Sequence, residues 1–338
     1  MTTRRIVALA VTALVLYGLA PAVLEVFGAF DALDDFEPLW WIVVIGTQVA
    51  GLISFFAVQK IALPGASWFA VVTSNLVGGA LGRVIPGGAA TAAAVQFQML
   101  GQSGVSRARI ATGVAAGSVL LVIALAALPI ITVPFVATGL KVPETLAQAA
   151  LLGGVVFIVL FALGAVLLGS DRAIGTVGRG AGAVLRRLGR GETAEGLPER
   201  LTGQRDLVRR ALGRRWPEAL AGAVGRWIFD FLTLVAALEA AGARPNLALA
   251  LLAYTAAQLL AQIPITPGGL GVVEAGMTAT LALAGVAAGA AAAAVLAYRL
   301  ASYWLQLPAG LVAWVMFRRR YGEPPVDADP GHAAARTA

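Results

Sequence analysis

The chain contains no cysteine, a single histidine and only two lysines among 338 residues, and just 13% of it is charged. Without cysteine there can be no disulfide and no thiolate metal site. The one histidine, His332, lies in a polar tail, so neither a histidine-based metal centre nor a Ser-His-Asp triad can be assembled. There is also no phosphate-loop signature, no pair of metal-binding carboxylates and no nucleophile elbow. No cofactor and no enzymatic activity are expected. The scarcity of charge is matched by 59% hydrophobic residues and a mean hydropathy of +0.83. A soluble domain of this length does not require that; several membrane-spanning helices do. The net charge is +7, but the basic residues are confined to a few loops, which points to membrane topology and not to a nucleic-acid partner.

Pro-Gly-Gly occurs twice inside apolar sequence, 181 residues apart. The first copy is Arg83-Val84-Ile85-Pro86-Gly87-Gly88, followed by a helical run that closes at Gly104-Val105. The second is Pro264-Ile265-Thr266-Pro267-Gly268-Gly269, with a run that closes at Gly285-Val286. At this offset seven of the twenty positions from 86 to 105 are identical, including Ala94/Ala275 and Leu100/Leu281. A Gly/Pro break at matching points of two membrane halves is the mark of an inverted-repeat transporter with its site at the breaks.

Charge placement gives the topology. Six full spans are expected near 6–27, 39–62, 109–134, 145–169, 216–242 and 289–317, with two re-entrant hairpins near 65–105 and 246–286. Arg4 and Arg5 precede the first span, residues 170–215 hold eleven arginines, and Arg318, Arg319 and Arg320 follow the last. The loop after the first span carries Asp31, Asp34, Asp35 and Glu37 and no basic residue. The positive-inside rule then makes both termini and the 170–215 loop cytoplasmic. Each half reads span, span, hairpin, span, and the halves have opposite orientation. Two complete helices per hairpin would satisfy the charges equally. The re-entrant reading is preferred because 273–286 is too short to cross about 30 Å of hydrocarbon. The expected fold class is an all-α integral membrane protein: one polytopic domain, 1–318, with repeat one at 6–135 and repeat two at 145–317. Residues 170–215 form an Arg-rich cytoplasmic loop, with an interfacial helix or a solvated linker as its two readings. A disordered cytoplasmic tail, 319–338, follows.

Candidate site residues come from the breaks and from charges at membrane depth. Proline and paired glycines stop one helix and free the N–H groups of the next, leaving roughly +0.5 charge at each new N-terminus. Broken backbone at that depth must be buried in protein or line a wet cavity. Arg83 stands three residues before the first break and Glu274 five after the second. Arg299 lies in the last span, with Tyr303 and Gln306 on nearby turns. A charge at the bilayer centre costs at least about 2.5 kcal/mol, so such residues face a cavity or a partner. Arg226 and Asp230 are i, i+4 on one helix and can pair with each other. Asn75, Gln96 and Gln98 in the first hairpin, and Gln258, Gln262 and Thr266 in the second, are either cavity lining or helix–helix glue. Gly78-Gly79 and Gly113/Gly117 look like close helix packing.

Arg83-Val-Ile-Pro-Gly-Gly, Thr266-Pro-Gly-Gly-Leu-Gly-Val-Val-Glu274 and Tyr298-Arg299-Leu-Ala-Ser-Tyr303-Trp resemble the flippase-like membrane domain of bacterial lysylphosphatidylglycerol synthase/flippase proteins. The resemblance covers roughly 6–318, and Pro-Gly-Gly-Leu-Gly-Val-Val-Glu is its most specific stretch. It implies a membrane domain that moves aminoacylated or other polar phospholipid between leaflets of a bacterial plasma membrane. Only a short tail follows residue 318 in this sequence, so aminoacylation is not expected. The resulting candidate binding residues are Arg83, Pro86, Gly87, Gly88 and Gln96 in the first half. In the second they are Gln262, Thr266, Pro267, Gly268, Gly269, Gly271, Glu274, Arg299 and Tyr303, with Arg226, Asp230 and Gln258 as further candidates. Arg83, Glu274 and Arg299 are expected to face one shared cavity. Two other functions fit the same motifs: an ion-coupled transporter of a small anionic solute, and a membrane subunit that docks a separate lipid-modifying enzyme. A homo-oligomer is also compatible.

Overall fold

The computed structural model describes Leu33 and residues 36–85, 88–132, 206, 212–261 and 269–322. The expected spans at 6–27 and 145–169, nearly all of the 170–215 loop and the tail lie outside these residues. So do Pro86, Gly87, Gln262, Thr266, Pro267 and Gly268. Among the described residues all regular structure is helical. Helix α1 runs Pro38–Ala62, with proline in its first turn and Lys60 in its last. Helix α2, Trp68–Val84, starts at Ser67, whose hydroxyl accepts the Ala70 N–H at 3.1 Å. It stops because Ile85 precedes Pro86 and is held extended, at φ −91° and ψ 135°. Helix α3 spans Gly88–Gln102 and α4 spans Arg107–Ala127, continued by a 3₁₀ turn over Leu128–Thr132. In the second half α5 is Trp216–Ala240, α6 is Leu247–Leu260 and α7 is Val272–Leu283. Helix α8, Ala288–Arg299, leads through a π turn at Leu300–Trp304 into α9, Gln306–Tyr321.

The sequence repeat is also a repeat of local structure. Helix α3 ends at 102 and α7 at 283; α4 begins at 107 and α8 at 288. Both α3 and α7 close in the same way. Gly104 and Gly285 each take φ +89°, and the Val105 and Val286 N–H groups reach back to the Leu100 and Leu281 carbonyls at 3.1 Å. This is a Schellman closure, and its positive-φ position favours glycine.

Four of the described helices, Pro38–Ala62, Arg107–Ala127, Gly213–Ala240 and Ala288–Tyr321, are long and apolar enough to cross a membrane. Their most apolar windows are only 28–39% buried inside the protein. Leu39, Ile42, Leu311 and Val312 are more than half exposed. Such faces suit a lipid solvent and would be a liability in water.

Helices α1 and α5 pack through small residues: a Cβ on Gly222 would lie 2.9 Å from Val58 Cγ2, and one on Gly51 would lie 3.1 Å from the Arg226 guanidinium. Within the first hairpin α2 and α3 are equally close. A Cβ on Gly78 would meet the Ala92 carbonyl oxygen at 2.8 Å, and one on Gly82 the Gly88 oxygen at 2.7 Å. Backbone cannot yield as a side chain can. Gly82→Val is therefore expected to cost about 1–3 kcal/mol by forcing the hairpin apart, read as a lower melting temperature of the purified protein. Gly79 and Gly117 differ from the expected packing role. They make room for polar side chains: the Arg83 guanidinium would lie 3.1 Å from a Cβ at 79, and the Gln59 amide oxygen 3.1 Å from one at 117.

Candidate functional site

A cavity of about 390 Å³ lies among α1, α2, α3 and α4, and is bounded by α5 and α9. Arg83 and Arg226 supply its charge, and Gln59, Asn75, Gln96 and Gln306 its amides. Gln96 donates to Asn75 Oδ1 at 3.0 Å, and Asn75 donates to the Val71 carbonyl at 2.8 Å, so α2 and α3 fix each other's polar faces. Trp227 ties α5 to α4 through Nε1 and the Leu121 carbonyl at 2.8 Å. Gln59 is 3% exposed, and its Oε1 accepts no hydrogen bond.

Arg83 is anchored by backbone. Its Nη1 donates to the Gly79 carbonyl at 2.8 Å, and its Nη2 approaches the Ser302 carbonyl at 3.5 Å. No carboxylate pairs with it among the described residues. Tyr303 connects it to the last helix: the Tyr303 hydroxyl donates to the Arg83 carbonyl at 3.1 Å, and the Tyr303 ring has Arg83 on it at 5.8 Å and Arg299 at 4.6 Å. The π turn sits at this junction, its Leu305 N–H bonding Leu300 O at 2.9 Å. The extra residue shifts the register between Arg299 and Gln306, and Gln306 Nε2 donates to Ser302 O at 2.7 Å.

Arg299 and Glu274 are not among the described residues that line this cavity. They pair with each other, Nε to Oε1 at 2.5 Å, with side chains only 10% and 16% exposed. Of the three charges expected to face one shared cavity, Arg83 is among the described residues lining this one, while Glu274 and Arg299 are held by their mutual pairing. The pairing crosses two helices and so has no local spacing. Glu274 also lies in the first turn of α7, where a carboxylate offsets the positive helix end. That end is less available to a ligand than the break alone suggests. Gly269, at φ +72°, and Gly271, at φ +77°, form the turn into α7; Gly271 caps it. Gly88, at φ +23°, begins α3.

Asp230 has a full set of hydrogen-bond donors. It is 1% exposed and accepts from Arg226 Nη1 at 2.6 Å, from the hydroxyls of Tyr254 at 2.7 Å and Tyr298 at 2.6 Å, and from Gln258 at 3.2 Å. Gln258 also donates to the Tyr298 hydroxyl at 2.6 Å. It belongs to this network, which joins α5, α6 and α8, and is not among the described cavity residues. The sequence showed only the Arg226–Asp230 spacing; the two tyrosines went unnoticed as partners, although a buried tyrosine hydroxyl ordinarily finds one.

Beside the polar cavity runs an apolar groove of about 650 Å³ between α2 and α9, from Trp68 and Met316 to Leu76 and Leu305. Leu76 borders both spaces. Arg320 stacks over Phe69 at 4.8 Å near the Trp68 end.

Long apolar helices with exposed apolar faces, packed around a polar cavity, define a helical membrane protein. The chain belongs to the family described as the lysylphosphatidylglycerol synthase TM region, whose model matches residues 5–310. No curated protein and no solved structure matches it.

Proposed function

We propose that the protein is a non-enzymatic phospholipid flippase of the bacterial plasma membrane. The observation that carries this reading is the adjacency of two unlike spaces across Leu76: a cavity with two guanidiniums, and an apolar groove between α2 and α9. A phosphate suits the first and an acyl chain the second. A small anionic solute would use the cavity and leave the groove without a role. In this reading the two halves are inverted repeats of three spans and one re-entrant hairpin each, and rocking one half against the other alternates access. Glu274 and Arg299 hold α7 to α8 during that motion, with Tyr303 passing contact on to Arg83.

Reconstitution into liposomes tests the function. The purified protein is expected to move labelled phospholipid between leaflets; no movement above protein-free liposomes would reject it. Topology has a separate test, which the cysteine-free background makes clean. Single cysteines at 190 and 200 are expected to resist membrane-impermeant thiol reagents in intact cells, and one at 35 to react. Outside labelling at 190 or 200 would invert the assignment.

A further inference from the structure

We infer that the cavity selects a net-anionic phospholipid whose headgroup is uncharged and bears hydroxyls, and disfavours a headgroup that carries an ammonium. The inference rests on the flippase reading and narrows its substrate. It follows from an inventory of the charges around the cavity. Arg83 and Arg226 line it, and no carboxylate among the described residues does. Asp230 is close by, but it is 1% exposed and its acceptors are taken by Arg226, two tyrosine hydroxyls and Gln258. Glu274 is turned to Arg299. A headgroup ammonium would therefore enter beside Arg83 and the Arg226–Asp230 pair, with no carboxylate among the described lining residues to receive it, in a setting where unpaired charge is costly. One phosphate, by contrast, supplies the anion that Arg83 lacks.

The remaining cavity groups suit a neutral polar headgroup. Asn75, Gln96 and Gln306 are held by the hydrogen bonds described above, which fixes their amides in place. Gln59 is the exception. Its Oε1 is buried and accepts nothing, and Gly117 leaves the space in which the amide lies. A buried acceptor without a donor is expensive, and turning the amide from Gly117 toward the cavity would let a ligand hydroxyl satisfy it. The cavity volume of about 390 Å³ is within the range of small-molecule sites.

Native mass spectrometry of the full-length protein, released from micelles with equimolar phosphatidylglycerol, lysyl-phosphatidylglycerol and phosphatidic acid, tests this. Phosphatidylglycerol is expected to occupy the protein at least tenfold more than the aminoacylated lipid. Arg83→Ala should lower phosphatidylglycerol occupancy at least tenfold. Gln59→Leu should reduce its preference over phosphatidic acid, which lacks the headgroup hydroxyls, at least threefold. Equal or tighter binding of the aminoacylated lipid would overturn the inference, as would a phosphatidylglycerol preference unchanged in both variants, since that would place the lipid elsewhere. The flippase reading is separated by translocation in liposomes. Selective binding with no lipid movement would sink that reading and leave the selectivity standing. Movement with the aminoacylated lipid fastest would do the reverse.

Discussion

Arg83→Ala is expected to cut phospholipid translocation in liposomes at least tenfold while leaving the protein folded. Arg83 lines the cavity and has no carboxylate partner among the described residues, so its removal strands no opposite charge. What the fold loses is small: a backbone hydrogen bond to Gly79, a long contact to the Ser302 carbonyl, and a loose approach to the Tyr303 ring at 5.8 Å. Together these amount to about 1–2 kcal/mol. The ligand loses a guanidinium that no carboxylate pairs with among the described residues. Arg83→Lys should recover part of the rate, because a lysine restores the charge but not the fork that grips two phosphate oxygens. Thermal melting and translocation on the same preparation make the check. A variant that melts like the parent and transports at its rate would remove Arg83 from the site.

Asp230→Ala is expected to act in the opposite way, on the fold before the function. The carboxylate holds α5, α6 and α8 through Arg226, Tyr254, Gln258 and Tyr298. Deleting it leaves a guanidinium without its counter-ion and two tyrosine hydroxyls without their acceptor. Removing one partner of a buried pair costs about 3–5 kcal/mol, which is a large share of a typical domain's stability. Loss of the monodisperse peak in size-exclusion chromatography is the expected result. Asp230→Asn keeps one acceptor oxygen and should be intermediate. Asp230→Ala protein that stays monodisperse and melts as the parent does would show that the network is not structural.

The contrast between Arg83 and Asp230 shows what could be read from sequence. The glycine closures at Gly104 and Gly285, the ends of α3 and α7 and the starts of α4 and α8 were legible because they depend on neighbours in the chain, whereas the π turn that ends α8 at Arg299 was not. Arg83 was legible because charge at membrane depth is expensive wherever it lies. The pairing of Glu274 with Arg299 was not, since they stand on different helices and meet only through the packing of α7 on α8. For the same reason Arg226 was underrated: its spacing to Asp230 was visible, but its place on the cavity wall is set by α1 approaching at Gly51. Gln59 carried no signal at all. A glutamine near the end of an apolar helix is unremarkable until Gly117 on another helix opens space for it.

The central claim is that a lipid phosphate sits in the cavity. A structure of the protein in phosphatidylglycerol nanodiscs tests it most directly. The phosphate is expected within hydrogen-bond reach of Arg83 and Arg226, with an acyl chain in the groove between α2 and α9. A cavity filled only by water or a small anion, with lipid confined to the outer surface, would contradict it.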